Sequence, residues 1–311
     1  MKNILRLAVL LLTTSIFAQA GHIMQGVGSV NMSMGGAATA QPLDISGALQ
    51  WNPAAISVFD SKIINFDIGA FFSSPELSST AGPYSGVTKD DRGVSPMPAL
   101  AMVWGKEASK HTFGVSAFGI SGFGVTFPEN MSNPINMPQP NGFGHIESDY
   151  MLLQVGIAWA YEITKELSIG VQPTVNYAAL ELAPNPTANP NASGYPVSDK
   201  ASAIGYGAQF GLFYNSPSGF KVGASYKTTQ KFEDLEFENT YLNNSTSTNS
   251  FNMDYPAILS FGLGYSTGDV DLAVDYRYVD YENTNCFAEK GWNQTGSVKG
   301  FGWKNINILS I

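Results

Sequence analysis

The connections in this chain keep a rhythm that few folds can satisfy. Ten segments near 62–72, 96–104, 111–120, 149–162, 166–178, 202–215, 219–228, 255–266, 269–281 and 303–311 alternate apolar with small or polar residues. Between them the stretches 73–95, 105–110, 121–148, 163–165, 179–201, 216–218, 229–254, 267–268 and 282–302 run long, short, long, short throughout. A period of two marks a strand with one apolar face. Connections that alternate in length are what antiparallel hairpins crossing a membrane produce, with tight turns on one side and longer loops on the other. In the clearest segments Val155, Ile157, Trp159 and Tyr161 alternate with Gln154, Gly156, Ala158 and Ala160, and Leu259, Phe261, Leu263 and Tyr265 with Ser260, Gly262, Gly264 and Ser266.

A secreted β-sandwich also alternates, but it faces its apolar set inward and charge outward. Here the second set is mainly Gly, Ser, Ala, Gln and Thr, which suits a wet lumen. Only 13% of the 311 residues are charged, about half the ~25% of soluble domains, and aromatics gather near strand ends as in interfacial girdles. The expected fold is all-β, an antiparallel transmembrane β-barrel. The charge of −9 disfavours nucleic-acid binding, and one cysteine, Cys286, excludes an internal disulfide framework and a cysteine zinc site.

Lys2 and Arg6 flank the start of an apolar stretch from Ile4 to Phe17, followed by Ala18-Gln19-Ala20. This reads as a signal peptide over residues 1–20, with a mature start at Gly21. No later apolar run reaches the ~20 residues of a spanning helix, so the expected location is the outer membrane of a Gram-negative bacterium.

Residues 21–60 do not fit the strand template. They carry Gly26, Gly28, Gly35, Gly36 and Gly47 and end in Trp51-Asn52-Pro53-Ala54-Ala55-Ile56, which reads as a compact hatch folded inside the lumen, with residues 61–311 forming the barrel. Asn-Pro pins a turn at its end. This small-residue prefix closing on Asn52, Pro53 and Ala54, with Pro98-Ala99, Phe118-Gly119, Pro256 and Asp275-Tyr276-Arg277-Tyr278 further on, resembles the FadL family of outer-membrane transporters for long-chain fatty acids and other hydrophobic compounds, toluene and xylene channels included. Relative to that family the loops 179–201 and 229–254, which match its ligand-gathering loops in order, are short and polar.

The resemblance implies fourteen strands, of which about ten are legible, so that roughly 100 further residues are expected beyond Ile311. It implies passive uptake by a monomer without a cofactor, set among outer-membrane lipid and lipopolysaccharide. A hydrophobic small molecule such as a long-chain fatty acid would be held in a lumen pocket near the hatch N-terminus at His22 and Ile23, and would leave through a lateral opening. That opening is expected at a kink of the third strand, for which Phe118, Gly119, Gly122 and Gly124 are the candidates because the alternation breaks there; the same residues also read as the flexible root of 121–148. The hatch is either a moving gate or a permanent plug.

Other chemistry is poorly supported. Gly264-Tyr265-Ser266-Thr267-Gly268 has the nucleophile-elbow spacing but lies at a hairpin turn with no helix after it. His22, His111 and His145 are dispersed and lack metal spacing. Glu233, Asp234, Glu236 and Glu238 read as a solvated loop before a cation site. The chain is expected not to be an enzyme; the alternative to a channel is a plugged barrel of the same fold that binds a protein partner in a structural or secretion-associated role.

Overall fold

The computed structural model describes residues 21–105 and 109–311; the export signal expected over residues 1–20 lies outside them. Ten strands form one continuous antiparallel path in chain order, with the two-residue strand Lys231–Phe232 paired beside the sixth: β1 (Ile63–Phe72), β2 (Val94–Trp104), β3 (His111–Phe127), β4 (Ile146–Glu162), β5 (Leu167–Ala183), β6 (Ala201–Asn215), β7 (Phe220–Lys227), β8 (Ala257–Thr267), β9 (Val270–Asp280) and β10 (Ile306–Ser310). Among the described residues β1 and β10 flank the sheet and are not paired with each other. All ten fall where the alternation places them.

The long connections are more ordered than the sequence reading allows. β3 continues to Phe127 and β5 to Ala183, because the ladders with β4 extend to Phe127↔Ile146 and Glu147↔Ala183. Residues Glu76–Ala81 and Tyr84–Lys89 form a hairpin. Leu235–Thr240 pairs with both Thr246–Phe251 and Val197–Ser198, and Glu236 and Glu238 lie on its exposed face, opposite buried Leu235 and Phe237.

The sheet is amphipathic in the inverse sense of a soluble protein. Phe66, Ile157, Phe210, Phe261 and Leu272 are exposed on its outer face, whereas Gln154, Gln172, Asn176, Lys227, Asp275 and Arg277 are buried on the inner one. Exposed large side chains backed by buried polar ones fit a wall solvated by hydrocarbon, where closed ladders satisfy the backbone.

Residues 21–60 fill the inner face, which corrects the expectation of a wet lumen along much of the wall. They form two short helices, α1 (Ser29–Ser33) and α2 (Ile45–Trp51), and a 3₁₀ turn, Pro53–Val58. Asp44 caps α2 by accepting from the Gly47 N–H at 3.2 Å. Inward glycines of the wall are the docking floor: a Cβ on Gly262 would lie 2.7 Å from the Ala40 nitrogen, and one on Gly170 or Gly211 would strike the Asn52–Ala54 turn.

An ion pair from β9 fastens this segment. Asp275 accepts from the Ala38 and Thr39 N–H groups at 2.9 Å each and pairs with Arg277 at 2.9 Å. Arg277 donates to the Gly36 carbonyl at 2.5 Å and lies 3.7 Å from the Trp51 ring centroid. In Asp275-Tyr276-Arg277-Tyr278 the period of two sends the charges inward and the tyrosines outward. Both charges are buried, so removing one strands the other. Asp275→Ala is expected to destabilise the folded protein by about 3–5 kcal/mol, and Asp275→Leu with Arg277→Met by less, measured as unfolding midpoints in detergent. Equal losses would show that the pair does not act as a unit.

Candidate functional site

Asn52 is fully buried between α2 and the 3₁₀ turn, and both ends of its amide are engaged. Its Oδ1 accepts from the Ala54 N–H at 3.1 Å, and its Nδ2 donates to the Thr39 carbonyl at 2.8 Å and the Leu212 carbonyl of β6 at 3.1 Å. Pro53 opens the 3₁₀ turn, where its missing N–H costs nothing. The Asn52, Pro53 and Ala54 run therefore ties the N-terminal segment both to itself and to the wall.

The wall is interrupted between β2 and β3. Their ladder runs from Trp104↔Phe113 to Ala99↔Phe118 and ends there, although β2 stays paired with β1 as far as Val94. Two local features cause the divergence. Ile120 is an extra residue in the β3–β4 ladder, a bulge between Gly119↔Leu153 and Ser121↔Leu152 that bends β3. On the other bank Pro96 and Pro98 leave β2 two backbone donors short.

Residues 22–24 occupy the inner side of this break. Met24 N–H donates to the Ile120 carbonyl at 3.1 Å, Gly122 N–H to the His22 carbonyl at 3.4 Å and the Ser121 hydroxyl to the same carbonyl at 2.7 Å. At its far end the break is closed again: Asp91 N–H donates to the Thr126 carbonyl at 2.8 Å and Thr126 N–H to Asp90 Oδ1 at 2.6 Å. Arg92 lies across Gly124 and pairs with Asp149 of β4 at 2.7 Å, and Lys200 meets the other oxygen of Asp149 at 2.9 Å. The result is a framed window.

Two cavities meet at it. One of about 610 Å³ lies in the window between Pro96, Met97, Phe123, Tyr150, Arg92 and Glu147. A second of about 260 Å³ lies between the N-terminal segment and β1–β2, against Val27, Met32, Asp67 and Ala99. Met24, Met97, Pro98 and Gly119 border both, so flexible thioethers form the partition. A third cavity, of about 590 Å³, lies beside Gly21, Phe123, Phe301 and Trp303.

His22 borders that third cavity but is itself buried, not solvated as a histidine in a loose N-terminal tail would be. It stacks on Phe287 at 4.7 Å, is ringed by Phe123, Tyr150, Tyr255, Tyr281 and Trp303, and has Nδ1 3.1 Å from the Tyr281 hydroxyl. Its Nε2 has no hydrogen-bond partner. Burial pushes the imidazole pKa down to about 3, so it is neutral.

The structure thus brings His22, Ile23, Phe118, Gly119, Gly122 and Gly124 to one place and Asn52, Pro53 and Ala54 to another, at the far end of the same N-terminal segment. Of the three glycines Gly124 is approached most closely, by the Arg92 guanidinium and the Ser148 carbonyl, and Gly122 lies against the Tyr150 carbonyl. Sequence reasoning missed Met24, Met97, Arg92, Asp149 and the Asp275–Arg277 fastening. Two prolines at alternate positions of one strand were the legible signal for the window.

The family model described as outer membrane protein transport protein (OMPP1/FadL/TodX) matches residues 9–309. The fold is similar to the solved Ralstonia pickettii toluene transporter TbuX, with a TM-score of 0.68 at 18% identity over 92% of this chain and 81% of that one. The P. putida toluene transporter TodX gives 0.64 at 16% identity, covering 92% and 78%. The CymD monoaromatic hydrocarbon channel gives 0.57 at 18% identity, covering 85% and 72%. No curated protein sequence matches the chain.

A histidine pKa lowered by folding stabilises the docked state fully above its ordinary value of about 6.5, and that stability is lost as pH falls toward 3. Docking of residues 21–24 is expected to weaken by about 1.4 kcal/mol per pH unit below 6.5. Tryptophan fluorescence between pH 7 and 5, with Trp303 against His22, reads this, and the slope should vanish in His22→Phe. A slope retained in that variant would assign it elsewhere.

Proposed function

The chain belongs to the outer membrane protein transport protein family (OMPP1/FadL/TodX), and from that premise we propose that it conducts hydrophobic small molecules passively between the lumen and the membrane through the window between β2 and β3. It is a β-barrel protein of the Gram-negative outer membrane and a transport protein, not an enzyme. The observation that carries the reading is the interrupted ladder beyond Ala99↔Phe118, with one cavity in the gap and a second behind it sharing Met24 and Met97. A wall meant only to seal has no use for such a break.

Partition into apolar cavities is worth ~0.8 kcal/mol per buried CH₂ group, enough to capture monoaromatic hydrocarbons or the chain of a fatty acid without an energy source. In this reading the hatch comprises residues 21–60, and its first residues are the movable part. Among the described residues, three hydrogen bonds to β3, one between His22 and Tyr281 and the His22 nest hold 22–24, whereas Asn52 and Asp275 anchor the remainder. Withdrawal of Met24 joins the two cavities.

Deleting Ile120 removes the extra residue and should restore the β3 register, drawing the window closed. Uptake of radiolabelled toluene by cells expressing this variant is expected to fall about tenfold, equivalent to ~1.4 kcal/mol, with the barrel still folded by gel mobility. Unchanged uptake through a folded, bulge-free wall would refute the lateral route. Capture of a protein partner with no uptake of toluene would favour the structural role instead.

A further inference from the structure

The charges around the window cavities are unbalanced in a way that bears on what passes. The larger cavity is bordered by one cation, Arg92, already paired with Asp149 at 2.7 Å, and by a second carboxylate, Glu147, whose partner is His145 at 2.9 Å. Just outside it Lys200 is divided between Asp149 at 2.9 Å and Glu181 at 3.4 Å. The smaller cavity is bordered by Asp67 and, among the described residues, by no cation. Asp67 Oδ1 takes hydrogen bonds from the Ser29 N–H at 3.1 Å and hydroxyl at 2.7 Å, while its buried Oδ2 has no partner. Among the described residues along the route from β3 to the N-terminal segment, every cation is committed and the carboxylates are in excess.

Resting on the transport reading above, we propose that Asp67 and Glu147 make this route selective by charge: it accepts uncharged hydrophobic molecules and turns away ionised ones of the same shape, carboxylates included. A ligand carboxylate in the window would have to displace Asp149 from Arg92 while facing Glu147. Further in it would meet Asp67 with nothing to offset the repulsion. Apolar walls focus such a field. One net unit charge within about 12 Å, at an effective dielectric of about 20, changes binding about tenfold. An uncharged molecule of the same size feels none of this.

The test uses the full chain in detergent and two fluorescent probes of nearly equal shape, neutral N-phenylnaphthylamine and anionic anilinonaphthalene sulfonate. The neutral probe is expected to bind about tenfold more tightly than the sulfonate, beyond their difference in partition into empty micelles. The ratio should narrow in Glu147→Gln, narrow further in Asp67→Asn with Glu147→Gln, and invert in Asp67→Asn with Glu147→Lys. Ordering by charge separates this from a steric effect, and gel mobility identifies the folded variants. Equal binding of the two probes, or a ratio indifferent to the charge at these positions, overturns charge selection and leaves transport standing. Binding of neither probe overturns both.

Discussion

In hydrocarbon a backbone N–H or C=O has no water to fall back on, so a membrane wall can be interrupted only where something else takes up the freed groups. That accounting ties the parts of this protein together. Where β2 leaves β3, Pro96 and Pro98 have no donors to lose, and the groups exposed at Ile120 to Gly122 are taken by residues 22–24 from inside. At the far end Asp90, Asp91 and Arg92 close the gap. The window and the N-terminal segment are therefore one device, since the strand that seals the break is the first stretch of the segment lying behind it.

The inner wall is built for that segment. Its glycines let backbone lie on backbone at Asn52–Ala54 and at Thr39–Ala40, and the buried Asp275–Arg277 pair fixes the middle of the segment to β9. Anchoring is uneven along its length. Asn52 and Asp275 hold the body by buried amide and ionic contacts, while residues 22–24 are held by hydrogen bonds to β3 and Tyr281 and by the aromatic ring around a neutral His22. That graded attachment supports the proposed reading, in which the first residues move and the body stays.

Much of this was legible beforehand, for identifiable reasons. Side chains on a strand alternate strictly, so the ten strands and the outward direction of Phe261 or Leu272 follow from the residues alone. The break in alternation after Phe118 falls at the Ile120 bulge, and Asn-Pro falls at the start of the 3₁₀ turn. Other features were not legible. The inner glycines read equally as lumen lining and as a docking floor, because absence of a side chain does not say what approaches. Arg92 and Asp149 are separated by a long connection and one strand, and only the folded sheet sets them side by side. The burial of His22 was not legible because nothing near it in sequence announces the five aromatic residues beyond Tyr150 and Phe123 that close on it or its neighbours, Tyr255, Tyr281, Phe287, Phe301 and Trp303.

By itself the sequence determined the class of wall, its strand positions and which face meets lipid, since those depend on a period of two repeated over short spans and on the scarcity of charge. The tertiary structure alone decided how far the β2–β3 ladder is interrupted, what covers the interruption and which charges border it. Those features rest on pairings between residues tens to hundreds of positions apart, such as Asp275 with Ala38 and His22 with Ser121, and a local pattern carries no information about partners that only the closed ladder brings within reach.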